Sequence, residues 1–138
     1  MNILVIDGQG GGIGKQLITA IKQEIPSAFI TAVGTNSTAT ANMLKAGADE
    51  AATGENPVIV CCRKADIIVG PVGIVIADSM LGEITPKMAA AAAQSGAKLI
   101  LIPYNQCGNV IAGIQNITMS ALIRLAVDEI KQDMSASH

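Results

Sequence analysis

The segment Asp7-Gly8-Gln9-Gly10-Gly11-Gly12-Ile13-Gly14 sets five glycines in seven positions, directly after a short apolar run and ahead of a helix-like pattern. With so few side chains, backbone itself comes close to whatever the segment faces. Between a strand and a helix the usual occupant is phosphate, held by unpaired N–H groups and the positive end of the helix dipole. We therefore expect a nucleotide or other phosphate-bearing small molecule over Gly10, Gly11, Gly12, Ile13 and Gly14. Asp7 and Gly8 would edge this site, and the ligand's polar remainder would reach Thr35, Asn36, Gly70 and Gly73. NAD(P) is one candidate ligand.

Other reactive groups are few. Asp7, Glu55, Asp78 and Glu83 are the carboxylates near the expected loop edge, joined by Tyr104 and Cys107. The charge of Asp7 would repel phosphate unless a cation or hydrogen bond intervenes, so it either accepts the loop's own N–H bonds or binds a metal. Asp78 follows an apolar run and reads as a partly buried acid with a raised pKa, or else Asp78 or Ser79 caps the next turn. Glu55 suits a helix N-terminus. Cys107 is the one thiol placed to react, against the alternative of a plain buried thiol. Cys61 and Cys62 are adjacent and read as buried free thiols, because zinc sites want spaced pairs and the single histidine is His138.

The elements that must position these residues alternate. Residues 2–6 and 28–33 read as strands, 48–52 as a short third, 67–69 as a fourth and 99–102 as a fifth, with 110–114 as a possible sixth. Ile13, Leu17, Ile21 and Ile25 recur at helical spacing until Pro26. Ser37 or Thr38 caps a second helix that Gly47 stops, and Asn56-Pro57 opens a third. Thr85-Pro86 opens an alanine-rich helix closed by Gly96, and Thr118 caps a final amphipathic one. This predicts one α/β domain, a three-layer Rossmann-like sandwich over residues 1–132, followed by a tail over residues 133–138. The mostly parallel sheet should begin in the order 3-2-1-4-5 through right-handed crossovers. The glycine loop and the loops rich in Gly, Thr and Asn after the other strands then gather at one sheet edge, the carboxyl ends of the strands, where ligands of open α/β sheets bind.

Composition sets the remaining bounds. Half of the 138 residues are hydrophobic, 14% are charged, and Phe29 and Tyr104 are the only aromatics. A core of Ile, Val, Leu, Ala and Met suits strands covered on both faces. So apolar a chain, with mean hydropathy +0.47, leads us to expect a homo-oligomer, most simply a dimer. A net charge of −2 with scattered Lys and Arg speaks against nucleic acid. The longest apolar run, residues 67–77, is broken by Gly70, Pro71 and Gly73 and is too short for a bilayer, and no charged leader precedes the first strand. We expect a cytoplasmic protein that does not engage a membrane.

Two resemblances follow from these motifs. Gly8-x-x-x-Gly12-x-Gly14 is similar to the cofactor loop of short-chain dehydrogenases, but Tyr104 is followed four residues later by Gly108, so that family's Tyr-x-x-x-Lys pair is missing. No acidic residue ends the second strand to hold a ribose hydroxyl, and hydride transfer by that mechanism is excluded. The second resemblance spans nearly the whole chain. The glycine loop, Gly34-Thr35-Asn36, Met43-Leu44-Lys45-Ala46-Gly47-Ala48-Asp49, Thr53-Gly54-Glu55-Asn56, Ala65-Asp66-Ile67-Ile68-Val69-Gly70-Pro71 and Leu81-Gly82-Glu83-Ile84-Thr85-Pro86 together resemble a small bacterial family, domain of unknown function 3842. That resemblance implies one compact domain and transfers no catalytic residue. Walker A is also unmet: Gln9 stands where its first glycine belongs and Gln16 replaces the metal-binding hydroxyl after Lys15.

Two classes of function remain. One is a non-catalytic module that binds a nucleotide-like ligand; the other is a small enzyme acting on a phosphorylated or nucleotide-linked metabolite through Asp7, Asp78 or Tyr104. The lack of a recognisable acid–base pair favours binding.

Overall fold

Runs such as Ile3-Leu4-Val5-Ile6 have no polar face to give to water, so they are stable only with helices packed on both sides. The computed structural model, which describes residues 1–104 and 109–136, meets that demand. Its elements are β1 (Asn2–Asp7), α1 (Gly12–Glu24), β2 (Phe29–Gly34), α2 (Ser37–Lys45), β3 (Glu50–Thr53), α3 (Glu55–Lys64), β4 (Ile67–Pro71), a 3-10 turn (Val72–Val75), α4 (Pro86–Ala93), β5 (Lys98–Ile102) and α5 (Met119–Ala136). The strands pair in parallel in the order β3-β2-β1-β4-β5, as expected.

Alternation along β1 builds two cores. Ile3 and Val5 point to the layer of α1, α2 and α5, where Leu17, Ile18, Ile21, Met43 and Ile130 are fully buried. Leu4 and Ile6 point to α3 and α4, against Val58, Ile84 and Met88. Each such side chain contributes about 1.5–3 kcal/mol by leaving water. After β3 the chain crosses from one side of β1 to the other, so connections diverge between β1 and β4. Pairing between these two strands ends at Val5↔Val69, although they continue to Asp7 and Pro71. A crevice at this switch point is where the fold offers a ligand site.

Several expected details differ. Residues 110–114 are turn and irregular chain, not a sixth strand. Gly113 has φ +90, outside the range of regular extended strand. The cap of α2 is Asn36, whose side chain accepts from the Ala39 N–H at 2.9 Å, while Ser37 and Thr38 are the first two residues of the helix itself. The third helix begins one residue before Asn56, with Gly54 (φ 111) in the capping position and Glu55 in the first turn. Thr85 and Thr118 cap as expected, through the N–H groups of Met88 and Ala121. The last helix runs through Ala136, into the segment read as a tail.

Candidate functional site

The glycines after β1 divide into three kinds by what surrounds them. Gly8 is buried, and a Cβ there would fall 2.5 Å from Thr35 Oγ1 and 2.7 Å from Met80 Sδ. Gly14 is likewise a packing glycine, since a Cβ would meet Met43 Sδ at 2.5 Å. Gly11 makes the turn: its φ of +71 at the N-cap of α1 is left-handed, and its N–H donates to Gly8 O at 2.9 Å. Gly10 and Gly12 have no heavy atom within 4 Å of a built Cβ and face open space.

Asp7 organises the loop from beneath. Its backbone is fixed in the sheet opposite Gly34, and its O accepts the Thr35 N–H at 3.0 Å. Its carboxylate turns into the loop, where Oδ2 accepts the Gly14 N–H at 2.7 Å and Oδ1 accepts the Gly8 N–H at 2.8 Å. Burial pushes this carboxyl above the ordinary aspartate range, against the pull of the amides of Gly14, Gly8 and Ile13; the charge of Glu83 adds to the rise. Asp7 thus supplies the helix N-terminus with an internal anion. The N–H groups of Gly10 and Gly12 have no partner among the described residues.

Glu83 ties the loop to the rest of the edge. Its Oε1 accepts Thr35 Oγ1–H at 2.5 Å, the Gln9 N–H at 2.8 Å and Asn36 Nδ2–H at 2.9 Å. Burial alone would raise this carboxyl, yet the hydrogen bonds from Thr35, Gln9 and Asn36 carry it below the usual glutamate value. Glu83 ends a tight excursion in which Asp78, Met80 and Leu81 all have positive φ (67, 57 and 58). Such backbone costs about 1 kcal/mol or more per residue and persists only where surroundings enforce it. Here Ser79 Oγ–H donates to Gly73 O at 2.5 Å and the Asp78 N–H to Ile84 O at 2.7 Å.

A cavity of about 300 Å³ opens over the loop, lined by residues 7–13 with Gln16, Pro71, Met80, Tyr104 and Met119. Asp7, Gly8, Gly10, Gly11, Gly12 and Ile13 therefore meet there, with Gly14 packed beneath. Thr35 and Asn36 spend their side chains on Glu83 and on Gln9 O, behind the loop. Gly70 is buried in β4 against Ile6 O, and Gly73 is buried in the 3-10 turn; neither lines the cavity. Sequence reading missed Gln16, Met80 and Met119. Gln16 is legible as one helical turn beyond Gly12, but nothing local links Met80 to a loop 72 positions earlier.

The remaining candidates lie elsewhere. Asp78 is exposed, so the partly buried acid expected there is not found, because the positive-φ turn carries it outward. Ser79 is the buried member of the pair. Glu55 Oε2 accepts Thr85 Oγ1–H at 2.6 Å, joining the starts of α3 and α4. Cys62 is buried and its thiol is pushed up to about 11 by desolvation, which keeps it protonated and inert; Cys61 is half-buried and also raised by burial. Cys107 and His138 lie outside the described residues. Among the described residues, no helix is long and apolar enough to cross a membrane.

A parallel five-stranded sheet with a glycine loop at its switch point defines the chain as a Rossmann-like α/β protein. Residues 2–135 match the domain of unknown function family DUF3842, and the chain belongs to that family. No curated protein matches it. Among solved structures it is similar to a dodecameric FMN-dependent Ubix-like decarboxylase from Escherichia coli O157:H7, with TM-score 0.55 and 15% identity over 98% of this chain and 95% of the other. It is also similar to AibC, with TM-score 0.51 and 18% identity over 96% of this chain and 42% of that one. At such identities the likeness is one of fold.

Proposed function

We propose that this protein is a binding module for a nucleotide or another phosphate-bearing small molecule seated over the glycine loop. One observation carries the reading: Gly10 and Gly12 leave their N–H groups without partners and their faces open, at the mouth of a cavity on the switch point. Unpaired N–H groups leading into α1 favour an anion as hydrogen-bond donors, while the Asp7 carboxylate beneath them offsets the helix dipole. Ile13, Pro71, Met80, Tyr104 and Met119 offer the apolar wall that a ring system needs. NAD(P) is one candidate on these grounds.

Binding rather than catalysis is supported by Asp7, the buried acid nearest the cavity. Its side chain is almost wholly buried and both its oxygens are turned into the loop, each accepting an amide hydrogen, so it is placed to hold the loop rather than to meet a substrate. We also infer a cytoplasmic homo-oligomer that uses neither nucleic acid nor membrane. Leu125, Leu44 and Phe29 are exposed apolar side chains that association would cover. Light scattering at micromolar concentration tests this, and a monomer refutes it.

Gly12→Val tests the ligand reading. The site of the new side chain is open, so stability should change by about 0.5 kcal/mol or less, while the methyl groups block approach to the Gly12 N–H. Calorimetric titration with NAD(H), NADP(H), ATP, GTP, flavins and coenzyme A should find a ligand for the wild type that Gly12→Val binds at least tenfold more weakly. If no phosphate compound binds the wild type below millimolar concentration, the reading fails.

A further inference from the structure

A second cavity, larger than the one over the loop, lies on another part of the molecule. It is a groove of about 470 Å³ between α1 and α5, and it has a floor of Ala20, Ile123 and Val127. Three features set it apart from ordinary helix packing. First, Gln16 lines both this groove and the loop cavity, and Met119 in one adjoins Ser120 in the other, so the two spaces meet. The Gln16 side chain is held at that junction by a bond from Nε2–H to Gly12 O at 3.2 Å. Second, the far end is closed by the ion pair of Lys131 with Glu24 at 2.9 Å. Third, Lys15 and Arg124 line the groove without an ion pair among the described residues, although the field of Arg124 reaches Glu24.

The loop cavity, by contrast, has no lysine or arginine among its described lining residues and has Asp7 at its base. Two free amides above a buried carboxylate suit an anion of low charge, such as a phosphodiester or pyrophosphate diester. The strong cations stand outside that cavity, in the groove. We infer that the ligand is an extended molecule, with a diester over the glycine loop and a second anionic group carried past Gln16 onto Lys15 and Arg124. This rests on the loop reading for its first half. The apolar floor accommodates the intervening chain or ring, and Asp128, the other acid lining the groove besides Glu24, can accept hydroxyl hydrogens.

Two probes separate the halves: ADP-ribose, which carries the pyrophosphate diester alone, and coenzyme A, which adds a further phosphate and a long arm. They are titrated calorimetrically into the wild type, Lys15→Gln/Arg124→Gln and Gly12→Val. Both substituted cations are exposed, and thermal melts verify that the variants fold. We expect coenzyme A to bind the wild type at least tenfold more tightly than ADP-ribose. The double variant should erase that difference and leave ADP-ribose unchanged, while Gly12→Val should weaken both. Equal wild-type affinities, or an unaffected preference in the double variant, overturn the groove assignment and leave the loop reading standing. Indifference of both probes to Gly12→Val, with the double variant still losing coenzyme A, overturns the loop reading and keeps the groove as an anion site. Neither probe binding below millimolar concentration overturns both. A lower oligomer mass for the double variant with unchanged affinities assigns the groove to a second copy and overturns the proposal.

Discussion

Replacing Asp7 by asparagine separates what the buried carboxylate does for the fold from what it does to a ligand, because the two effects have opposite signs. In the fold, Asp7 accepts from Gly14 at 2.7 Å and from Gly8 at 2.8 Å. Asparagine keeps one acceptor oxygen and sets an NH2 group against one of these donors. A hydrogen bond to a charged group contributes about 1.5–3 kcal/mol, and a stranded buried donor costs about 1–3 kcal/mol. Relief from burying the charge offsets part of this, so a net loss of about 2 kcal/mol is expected in urea unfolding. For an anion on the Gly10 and Gly12 amides, the change works in the other direction. A ligand charge on the order of 6 Å from the carboxylate, at an effective dielectric of about 20, is repelled by roughly 3 kcal/mol. Solvent and salt at the open cavity reduce that to about 1.4 kcal/mol, or roughly tenfold in affinity. Asp7→Asn should therefore be less stable yet bind ADP-ribose about tenfold more tightly, read by calorimetric titration at constant ionic strength well below the melting temperature. Weaker binding by a folded Asp7→Asn protein would refute the reasoning, because the carboxylate would then be attracting the ligand.

Gly11→Ala should lose about 1–2 kcal/mol from its left-handed φ, and more from contact with Ala39, whose Cα lies 2.9 Å from the new Cβ; an unchanged urea midpoint would show that the turn relaxes. Leu81 is 96% exposed at φ 58, so Leu81→Asn should gain about 0.5–1 kcal/mol in calorimetric unfolding; a lower melting temperature would mean that the leucine packs on something. The acid limb of stability should carry two opposed contributions. Asp7, raised by burial, stabilises fully below the ordinary 3.8, and that contribution is lost as pH rises through its raised value. Glu83, lowered by its hydrogen bonds, stabilises above the ordinary 4.5, and that contribution is lost as pH falls through its lowered value. Urea midpoints across the acid range should lose the first dependence in Asp7→Asn and the second in Glu83→Gln, and profiles parallel to the wild type in both would refute the assignment.

Much of this fold is local and was legible in the residues. The unbroken apolar run Ile3-Leu4-Val5-Ile6, helical spacing of Leu17 and Ile21, and caps at Thr85 and Thr118 each depend on neighbours a few positions away. The parallel order followed from alternation and handed crossovers. The glycine loop was legible as a unit, but the roles of its five glycines were not, since Gly8 and Gly12 differ only in what the folded chain brings to them. Residues 110–114 have strand-like composition, yet a sheet strand also needs a paired neighbour, and the chain instead turns through Gly113. Distance in sequence hid the rest. The bonds from Glu83 to Gln9, Thr35 and Asn36 span 47 to 74 positions, and the meeting of α1 with α5 joins opposite ends of the chain. Those contacts carry no local signature, because closure of the sheet selects them rather than any preference of the residues themselves. The sequence by itself therefore determined the layers, the strand order and the loop. Only the tertiary structure decided that Asp7 fills the helix end from within, leaving Gly10 and Gly12 as the amides turned outward.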